Sequence, residues 1–254
     1  MSNNKYWEFK NIANNEADLY LYVEIASWGE GYEAHSLKSF KQELDDLGDI
    51  QTLNLYVNSP GGDVYQGISI MNMLKRHKAT KNVYVDGLAG SIASVICMCG
   101  DKIVMPKNSV MMVHNAWTYT AGNSNDLRKL ADDLDKVNCS IRQAYLDKAG
   151  DKLDEATIID LMNKESWLTA EECYNYGLCD VVGDEKNMVA KFDLKTLNKY
   201  KNVPIDYVIS QTKAVCESTE DKENKENKEV ETKDDINNKI EEEKRMILED
   251  LDLI

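Results

Sequence analysis

Histidine and paired cysteines, the usual ligands of structural metals, are scarce in this sequence. The 254 residues include three histidines, and none of the six cysteines belongs to a C-x-x-C pair. Zinc sites are built from such pairs or from closely spaced histidines. We therefore expect no metal site, and we interpret the cysteines as the reduced thiols of a cytosolic protein.

Positive charge and long apolar runs are also in short supply. Asp and Glu number 45 against 30 Lys and Arg, which gives a net charge of −15. Such a surface repels phosphate backbones, so we expect no binding to nucleic acid. No apolar run approaches the roughly 20 residues that a membrane span needs, and the N-terminus lacks the apolar stretch of a secretory signal. These absences favour a cytoplasmic protein that does not enter a membrane.

Composition divides the chain near residue 200. Residues 217–244 are almost all charged or Asn, and such a segment cannot bury enough apolar area to offset the entropy lost on ordering. The sequence therefore predicts a folded domain over residues 1–200. Over residues 201–254 it predicts a disordered charged linker and tail, with a short amphipathic segment at its end.

Within the folded domain, apolar strands alternate with amphipathic helices. We predict strands at 19–25, 53–57, 82–85, 102–105 and 110–113. We predict helices at 36–48, with Ser36 as its N-cap, and at 64–77, 91–99 and 124–150. This alternation is typical of the α/β class, with layers of helices around a largely parallel sheet.

The segment VDGLAGSIASV, residues 85–95, places Ser91 after a strand and a glycine-containing turn, at the start of a helix. A nucleophilic hydroxyl suits such a turn, because the turn projects it out of the sheet. The first helical amides, such as that of Ile92, have no partner within the helix and can hold an oxyanion. Taken alone, the pattern fits a serine that caps the helix better than a nucleophile.

Two further segments carry residue types that acyl transfer needs. In NSPGGD, residues 58–63, glycines after a strand can turn a backbone amide towards an empty site, although an ordinary tight turn is the commoner use. In MMVHNAW, residues 111–117, His114 ends a short strand. A histidine is the usual base for a serine nucleophile, while a lone histidine at a strand end is more often structural.

Taken together, NSPGGDVYQGISIMNMLKRHK, VDGLAGSIASV and MPKNSVMMVHNAW resemble the Clp-type serine peptidases, and among them the phage and prophage Clp-like head-maturation proteases. The resemblance covers roughly residues 18–185. It implies that Ser91 is the nucleophile and His114 the base. It also implies that the amides of Gly61 and Ile92 form the oxyanion hole.

The third catalytic residue is less well defined by the resemblance. The family has an aspartate shortly before an L-S-A-x-E-A stretch, and KESWLTAEE puts Glu165 at that position. A glutamate can orient a histidine, though its longer stem loses more rotamer freedom. Asp160 and Asp180 are the alternatives, and Glu165 is equally well explained as a solvated residue at a helix start.

For the fold and the assembly, the resemblance implies a crotonase-like spiral of βαβ units whose subunits stack in heptameric or double-heptameric rings. The helix at 124–150 would be the handle through which rings meet, with a solvated surface helix as the alternative. The implied activity is that of a serine endopeptidase without cofactor, ATP-independent or self-compartmentalised. It would cleave proteins such as phage capsid or scaffold proteins, in the host cytoplasm or the prohead. An ATPase unfoldase partner is left open.

Two rival interpretations belong to other classes. A crotonase-like acyl-CoA enzyme would share the fold and the oxyanion amides but would need no Ser–His pair. A catalytically silent subunit would keep the fold for ring assembly alone, and the glutamate at position 165 is what favours it.

Overall fold

A computed structural model describes residues 5–12, 15–26, 36–183, 197 and 199–204. Their strands are β1 (Glu8–Ile12), β2 (Glu16–Leu21), β3 (Thr52–Ser59), β4 (Thr80–Gly90), β5 (Lys102–Pro106), β6 (Val110–Val113), β7 (Ser166–Thr169) and β8 (Val181–Gly183). Their helices are α1 (Leu37–Asp46), α2 (Val64–Arg76), α3 (Ile92–Cys97), α4 (Ser124–Ala149), α5 (Glu155–Asn163) and α6 (Ala170–Asn175), with a 3-10 turn at Gly150–Lys152.

The strands form a sheet in the order β1-β2-β3-β4-β5-β8, and β6 and β7 continue from the end of β4. Strands β2 to β5 are parallel neighbours joined through α1, α2 and α3, which makes three consecutive βαβ units. The antiparallel pairs are β1 with β2 and β6 with β7. The predicted α/β class with a largely parallel sheet is therefore confirmed.

Strand β4 is longer than the predicted 82–85 and changes partner along its length. Its first part pairs with β5, and its last residues, Leu88 to Gly90, pair in parallel with β6. The carboxyl ends of β4 and β6 consequently lie side by side. This arrangement sets Ser91, which follows β4, beside His114, which follows β6.

The strand predicted at 19–25 ends early, at Leu21. Ile25 instead bridges the loop after β3: its amide donates to the Gly61 carbonyl at 2.8 Å, and its carbonyl accepts from the Asp63 amide at 2.7 Å. A Cβ at Gly62 would lie 1.9 Å from the Ile25 oxygen, and Gly62 has a φ of +148°. Only glycine fits there, so this bridge explains the second glycine of the SPGG segment.

The helix ends follow the local sequence signals. Ser36 caps α1 as predicted, because its hydroxyl accepts the Ser39 amide. Helix α4 begins with a capping box between Asn123 and Asp126. Its buried residues lie in its second half, whereas Leu127 in the first turn is 46% exposed. Among the described residues, nothing packs over the first half of α4 closely enough to bury any of its side chains.

The described helices are all too short or too polar to cross a membrane. Of the predicted tail, residues 205–254 lie outside the described residues.

Candidate active site

Ser91 occupies a strained turn between β4 and α3. Its backbone has φ 53° and ψ −127°, a positive φ that is rare for a residue other than glycine and costs of order 1–3 kcal/mol. The Ser91 amide donates to the Met112 carbonyl of β6 at 2.8 Å. The side chain makes no capping hydrogen bond to α3. Ser91 therefore does not fill the capping role that the local pattern favours when taken alone, and its hydroxyl is directed elsewhere.

That hydroxyl contacts His114. The distance from Ser91 Oγ to His114 Nε2 is 2.7 Å, a short hydrogen bond between residues 23 positions apart. The paired ends of β4 and β6 hold the two side chains at this separation. With a neutral imidazole, the serine donates to Nε2, which is the arrangement that a general base requires.

The surroundings keep the imidazole neutral. Burial lowers the pKa of His114 from 6.5 to about 4. The negative charge of Glu165 acts in the opposite direction and the positive charge of Lys199 in the same direction, both less strongly than burial. A ring that is unprotonated at neutral pH can accept the serine proton.

Glu165 lies close enough to influence His114 but is bonded to other groups. Its Oε1 accepts the backbone amides of Lys201 at 2.7 Å and Asn202 at 2.8 Å. Within the described part of the chain, no hydrogen bond joins its carboxylate to His114. Its backbone has a φ of +50°, another strained position. Its role as the third catalytic residue stays a prediction.

The two alternative carboxylates have partners of their own. Asp160 pairs with Lys164 at 2.6 Å on the surface of α5. Asp180 accepts the Ile103 amide at 2.7 Å and pairs with Lys148 at 2.8 Å. Of the three carboxylates, Glu165 is the one whose charge acts on the pKa of His114, so it is the better candidate.

The predicted oxyanion donors border Ser91. A Cβ at Gly61 would lie 2.6 Å from the Ser91 Cβ and 3.1 Å from the Ile92 nitrogen, so the backbones touch. Among the described residues, the Ile92 amide has no acceptor. The Gly61 amide donates to Ser59 Oγ at 3.2 Å, whereas the Gly62 amide has no acceptor in the same set of residues. Gly62 is therefore a candidate donor that the sequence analysis did not identify.

A buried network of hydroxyl groups holds the Ser91 turn in place from the core side. Ser94 is fully buried, and its hydroxyl contacts the Ser91 carbonyl at 2.5 Å, the Met112 carbonyl at 3.2 Å and the Tyr145 hydroxyl at 2.7 Å. The second serine of the segment thus positions the first, and it explains the polar group in an apolar helix.

Tyr200 is a site residue that the sequence analysis missed. Its ring packs edge-on against the His114 imidazole, with the centroids 5.3 Å apart and the planes at 89°. Its hydroxyl donates to the Pro60 carbonyl. No motif signals it, because it lies beyond the region of resemblance and reaches Pro60 across 140 positions of sequence.

A serine on a strained strand-to-helix turn, hydrogen-bonded to a partly buried neutral histidine and next to amides that lack an acceptor among the described residues, is typical of a serine hydrolase site. The comparisons with known proteins narrow this class. The model of the Clp protease family matches residues 34–186, more than half of the chain. The chain belongs to the Clp protease family and is a serine protease, with the α/β fold of that family and α4 as its handle helix.

Several curated relatives share this region. The ATP-dependent Clp protease proteolytic subunit of Deinococcus radiodurans is 32% identical over 159 residues, which are 61% of this chain and 76% of that protein. Proteolytic subunit 1 of Salinibacter ruber is 31% identical over 150 residues, 58% of this chain and 63% of that protein. The Bacteroides fragilis subunit is 27% identical over 156 residues, 60% of this chain and 74% of that protein.

Proposed function

We propose that Ser91 and His114 hydrolyse peptide bonds through an acyl-enzyme. The observation that carries this proposal is the 2.7 Å hydrogen bond between Ser91 Oγ and His114 Nε2. His114 takes the Ser91 proton as the oxygen attacks the peptide carbonyl, and it then protonates the leaving amine. Water, activated by the same imidazole, releases the acyl group.

The oxyanion of the tetrahedral intermediate is assigned to backbone amides. Ile92 supplies one, because the start of α3 leaves its N–H without an acceptor in the described residues. The SPGG loop supplies the other. Gly61 was the predicted donor, but its amide is engaged by Ser59 at 3.2 Å, so the unengaged amide of Gly62 suits the role better.

Glu165 is proposed to orient His114 during catalysis. Its charge already raises the pKa of the imidazole, which means that the carboxylate would stabilise the imidazolium formed in the transition state. This role requires the carboxylate to exchange its bonds to the Lys201 and Asn202 amides for the second ring nitrogen of His114.

The site is proposed to work inside a ring of identical subunits, heptameric or doubly heptameric. The uncovered first half of α4, with Leu127 46% exposed, supports a contact between copies of the chain. The relatives named above are proteolytic subunits of ATP-dependent proteases. For this chain we propose a self-compartmentalised endopeptidase that does not need ATP to cleave unfolded protein.

The narrower proposal is a role in phage head maturation. It is supported by the resemblance of the three motifs to phage and prophage proteases, and by the charged segment at residues 217–244, which lies beyond residue 186, where the family match ends. Incubation of the purified protein with purified phage capsid and scaffold proteins would test this role. Discrete cleavage that Ser91→Ala abolishes is expected, and cleavage of unfolded casein alone would contradict it.

Labelling with a fluorophosphonate probe tests the chemistry directly. Wild type should label, Ser91→Ala should not, and His114→Ala should label at least about 100-fold more slowly, because a positioned base contributes on that scale. The labelling rate of Glu165→Ala should lie between those of wild type and His114→Ala. Ser140→Ala, on the exposed face of α4, is the matched serine control and should label like wild type.

The rival interpretations give other results in the same experiment. Rings that form normally while Ser91 stays unlabelled would indicate a silent structural subunit. Labelling that persists in Ser91→Ala would contradict the assignment of the nucleophile. An acyl-CoA enzyme would not react with the probe at Ser91, and its activity would survive the substitution of that residue.

A further inference from the structure

A short C-terminal segment packs over the candidate site. This segment, called the strap here, comprises residues 197 and 199–204. Leu197 and Tyr200 are 3% and 7% exposed and pack with Leu88 of β4 and Met112 of β6. At the strap's outer side, Lys199 pairs with Glu24 at 2.6 Å. The strap lies beyond residues 34–186, which match the family, so it is an addition to the family core.

The strap brings a phenol to the candidate site. The Tyr200 ring lies against His114, and its hydroxyl donates to the Pro60 carbonyl. A reacting carbonyl carbon must come within about 3–3.5 Å of the serine oxygen. The Tyr200 side chain extends from the His114 ring, whose Nε2 is 2.7 Å from Ser91 Oγ, to the SPGG loop at Pro60. A docked Tyr200 therefore narrows the space beside Ser91 that a substrate carbonyl must enter.

The strap backbone engages the third candidate residue as well. The amides of Lys201 and Asn202 bind the Glu165 carboxylate at 2.7 and 2.8 Å, and the Asn202 side chain donates to the Lys164 carbonyl at 2.7 Å. A carboxylate with two amide donors is well satisfied and has little tendency to turn towards His114. While the strap is docked, Glu165 is held in a position that does not serve the imidazole.

From these contacts we infer that the strap is a built-in closure of the active site: Tyr200 blocks the approach to Ser91 while the strap backbone withholds Glu165 from His114. Substrate access requires the strap to leave, and its departure also frees Glu165. This inference rests on the proposed peptidase function of Ser91 and His114. It assigns a regulatory role to a segment outside the family core.

The docked strap is not positioned as a substrate. The strap group that reaches the site is the Tyr200 side chain, whose ring packs against His114 and whose hydroxyl donates to the Pro60 carbonyl. Serine attack needs a carbonyl carbon, so the docked strap inhibits without being cleaved.

The burial of His114 follows from the same packing. Burial is the main reason that its pKa is lowered to about 4, and the Tyr200 ring is in direct contact with the imidazole. Opening the strap should raise the pKa of His114 through hydration, through removal of the Lys199 charge and through the approach of Glu165. The pH at which labelling declines therefore shows whether the strap is docked, and it does so independently of how fast the labelling is.

The test compares the rate of fluorophosphonate labelling in Tyr200→Ala, Tyr200→Phe and wild type. Tyr200→Ala should label at least about tenfold faster, which corresponds to about 1.4 kcal/mol, and the acid limb of its pH profile should move up from about 4 towards 6.5. Tyr200→Phe keeps the ring and should fall between the two. Tyr174→Ala, at an exposed tyrosine of α6, is the control and should match wild type.

A milder variant keeps the test usable if Tyr200→Ala does not fold. Lys199→Ala removes the pair with Glu24 without touching Ser91, and it should accelerate labelling about two- to threefold. Equal labelling of wild type, Lys199→Ala and a folded Tyr200→Ala would overturn the closure while leaving the peptidase assignment intact. Absence of labelling in every variant would overturn the proposed function itself, and the closure with it.

Hydrogen exchange gives a readout that needs no reactivity. In Ser91→Ala protein, the amides of Lys201 and Asn202 should exchange slowly, and Glu165→Ala should release both, because the carboxylate is their acceptor. Fast exchange at these amides with Glu165 present would overturn the docked strap.

Discussion

The titration of His114 gives the most quantitative prediction. The ring is partly buried beside Ser91 and Tyr200, and this burial lowers its pKa from 6.5 to about 4. Above pH 6.5 the ring is neutral in both the folded and the unfolded chain. As the pH falls from 6.5 to about 4, the unfolded chain binds a proton that the folded chain does not bind. The free energy of unfolding should therefore fall in that window.

The magnitude follows from the linkage between pKa and stability. One pKa unit corresponds to about 1.4 kcal/mol, so a histidine that titrates at about 4 when folded and at 6.5 when unfolded lowers the stability by about 3 kcal/mol at acid pH. Urea unfolding at about pH 7 and about pH 4.5 would measure this loss. Carboxylates also titrate there, so the comparison is with His114→Gln, which should lose less stability than wild type over the same interval.

The same titration controls reactivity. The probe reacts only when the imidazole is neutral, so labelling of Ser91 should stay fast down to about pH 5 and decline with an apparent pKa near 4. Histidine signals in nuclear magnetic resonance give an independent check, and the His114 signal is the one that disappears in His114→Gln. A wild-type acid limb near pH 7, or a His114 signal that titrates near 6.5, would refute the reasoning from burial.

Three further variants test the framework of the site. Gly62→Ala places a Cβ 1.9 Å from the Ile25 carbonyl oxygen and should lower the stability by roughly 3 kcal/mol or more in urea unfolding, with loss of labelling. Ser94→Ala removes the bond to the Ser91 carbonyl and should cost about 1–3 kcal/mol, with slower labelling of a folded protein. Asn123→Ala removes the capping box of α4 and should cost about 1 kcal/mol without changing the labelling rate.

Each of these variants has a result that would contradict its argument. Wild-type stability in Gly62→Ala would mean that the Ile25 bridge is not required. Unchanged labelling in Ser94→Ala would show that the hydroxyl network does not position the nucleophile. Slower labelling in Asn123→Ala would connect the start of α4 to the site, which the described contacts do not do.

The sequence allowed the parallel sheet to be predicted because its strands are apolar and are separated by amphipathic helices. It also brought Ser91 and His114 forward as partners, but only through motifs that resemble a family. Residue patterns alone favoured a capping role for Ser91. The positive φ that turns its hydroxyl away from α3 depends on the Met112 pairing, and no local pattern reports a contact of that kind.

The ends of the strands were harder to predict for a similar reason. Residues 86–90 contain two glycines and an alanine, which have low strand propensity. They are nevertheless part of β4, because β6 supplies hydrogen-bond partners there. Ile25 looks like a strand residue by pattern, yet it pairs with Gly62 outside the sheet. In both places tertiary pairing overrides local preference.

The contact between the strap and Glu165 gives a structural reason for a glutamate at position 165. The resemblance leads one to expect an aspartate there, and a glutamate extends its carboxylate one methylene further from the backbone. In this chain the carboxylate reaches the amides of Lys201 and Asn202, which belong to a segment beyond the family core. The longer side chain can therefore reach two positions, one bound to the strap while the strap is docked and one turned to His114 when the strap has left.

Glu165→Asp tests this interpretation. The shorter side chain should weaken the contact with the strap, so hydrogen exchange at the Lys201 amide should become faster. If exchange at Lys201 is as slow in Glu165→Asp as in wild type, the length of the side chain does not matter to the closure.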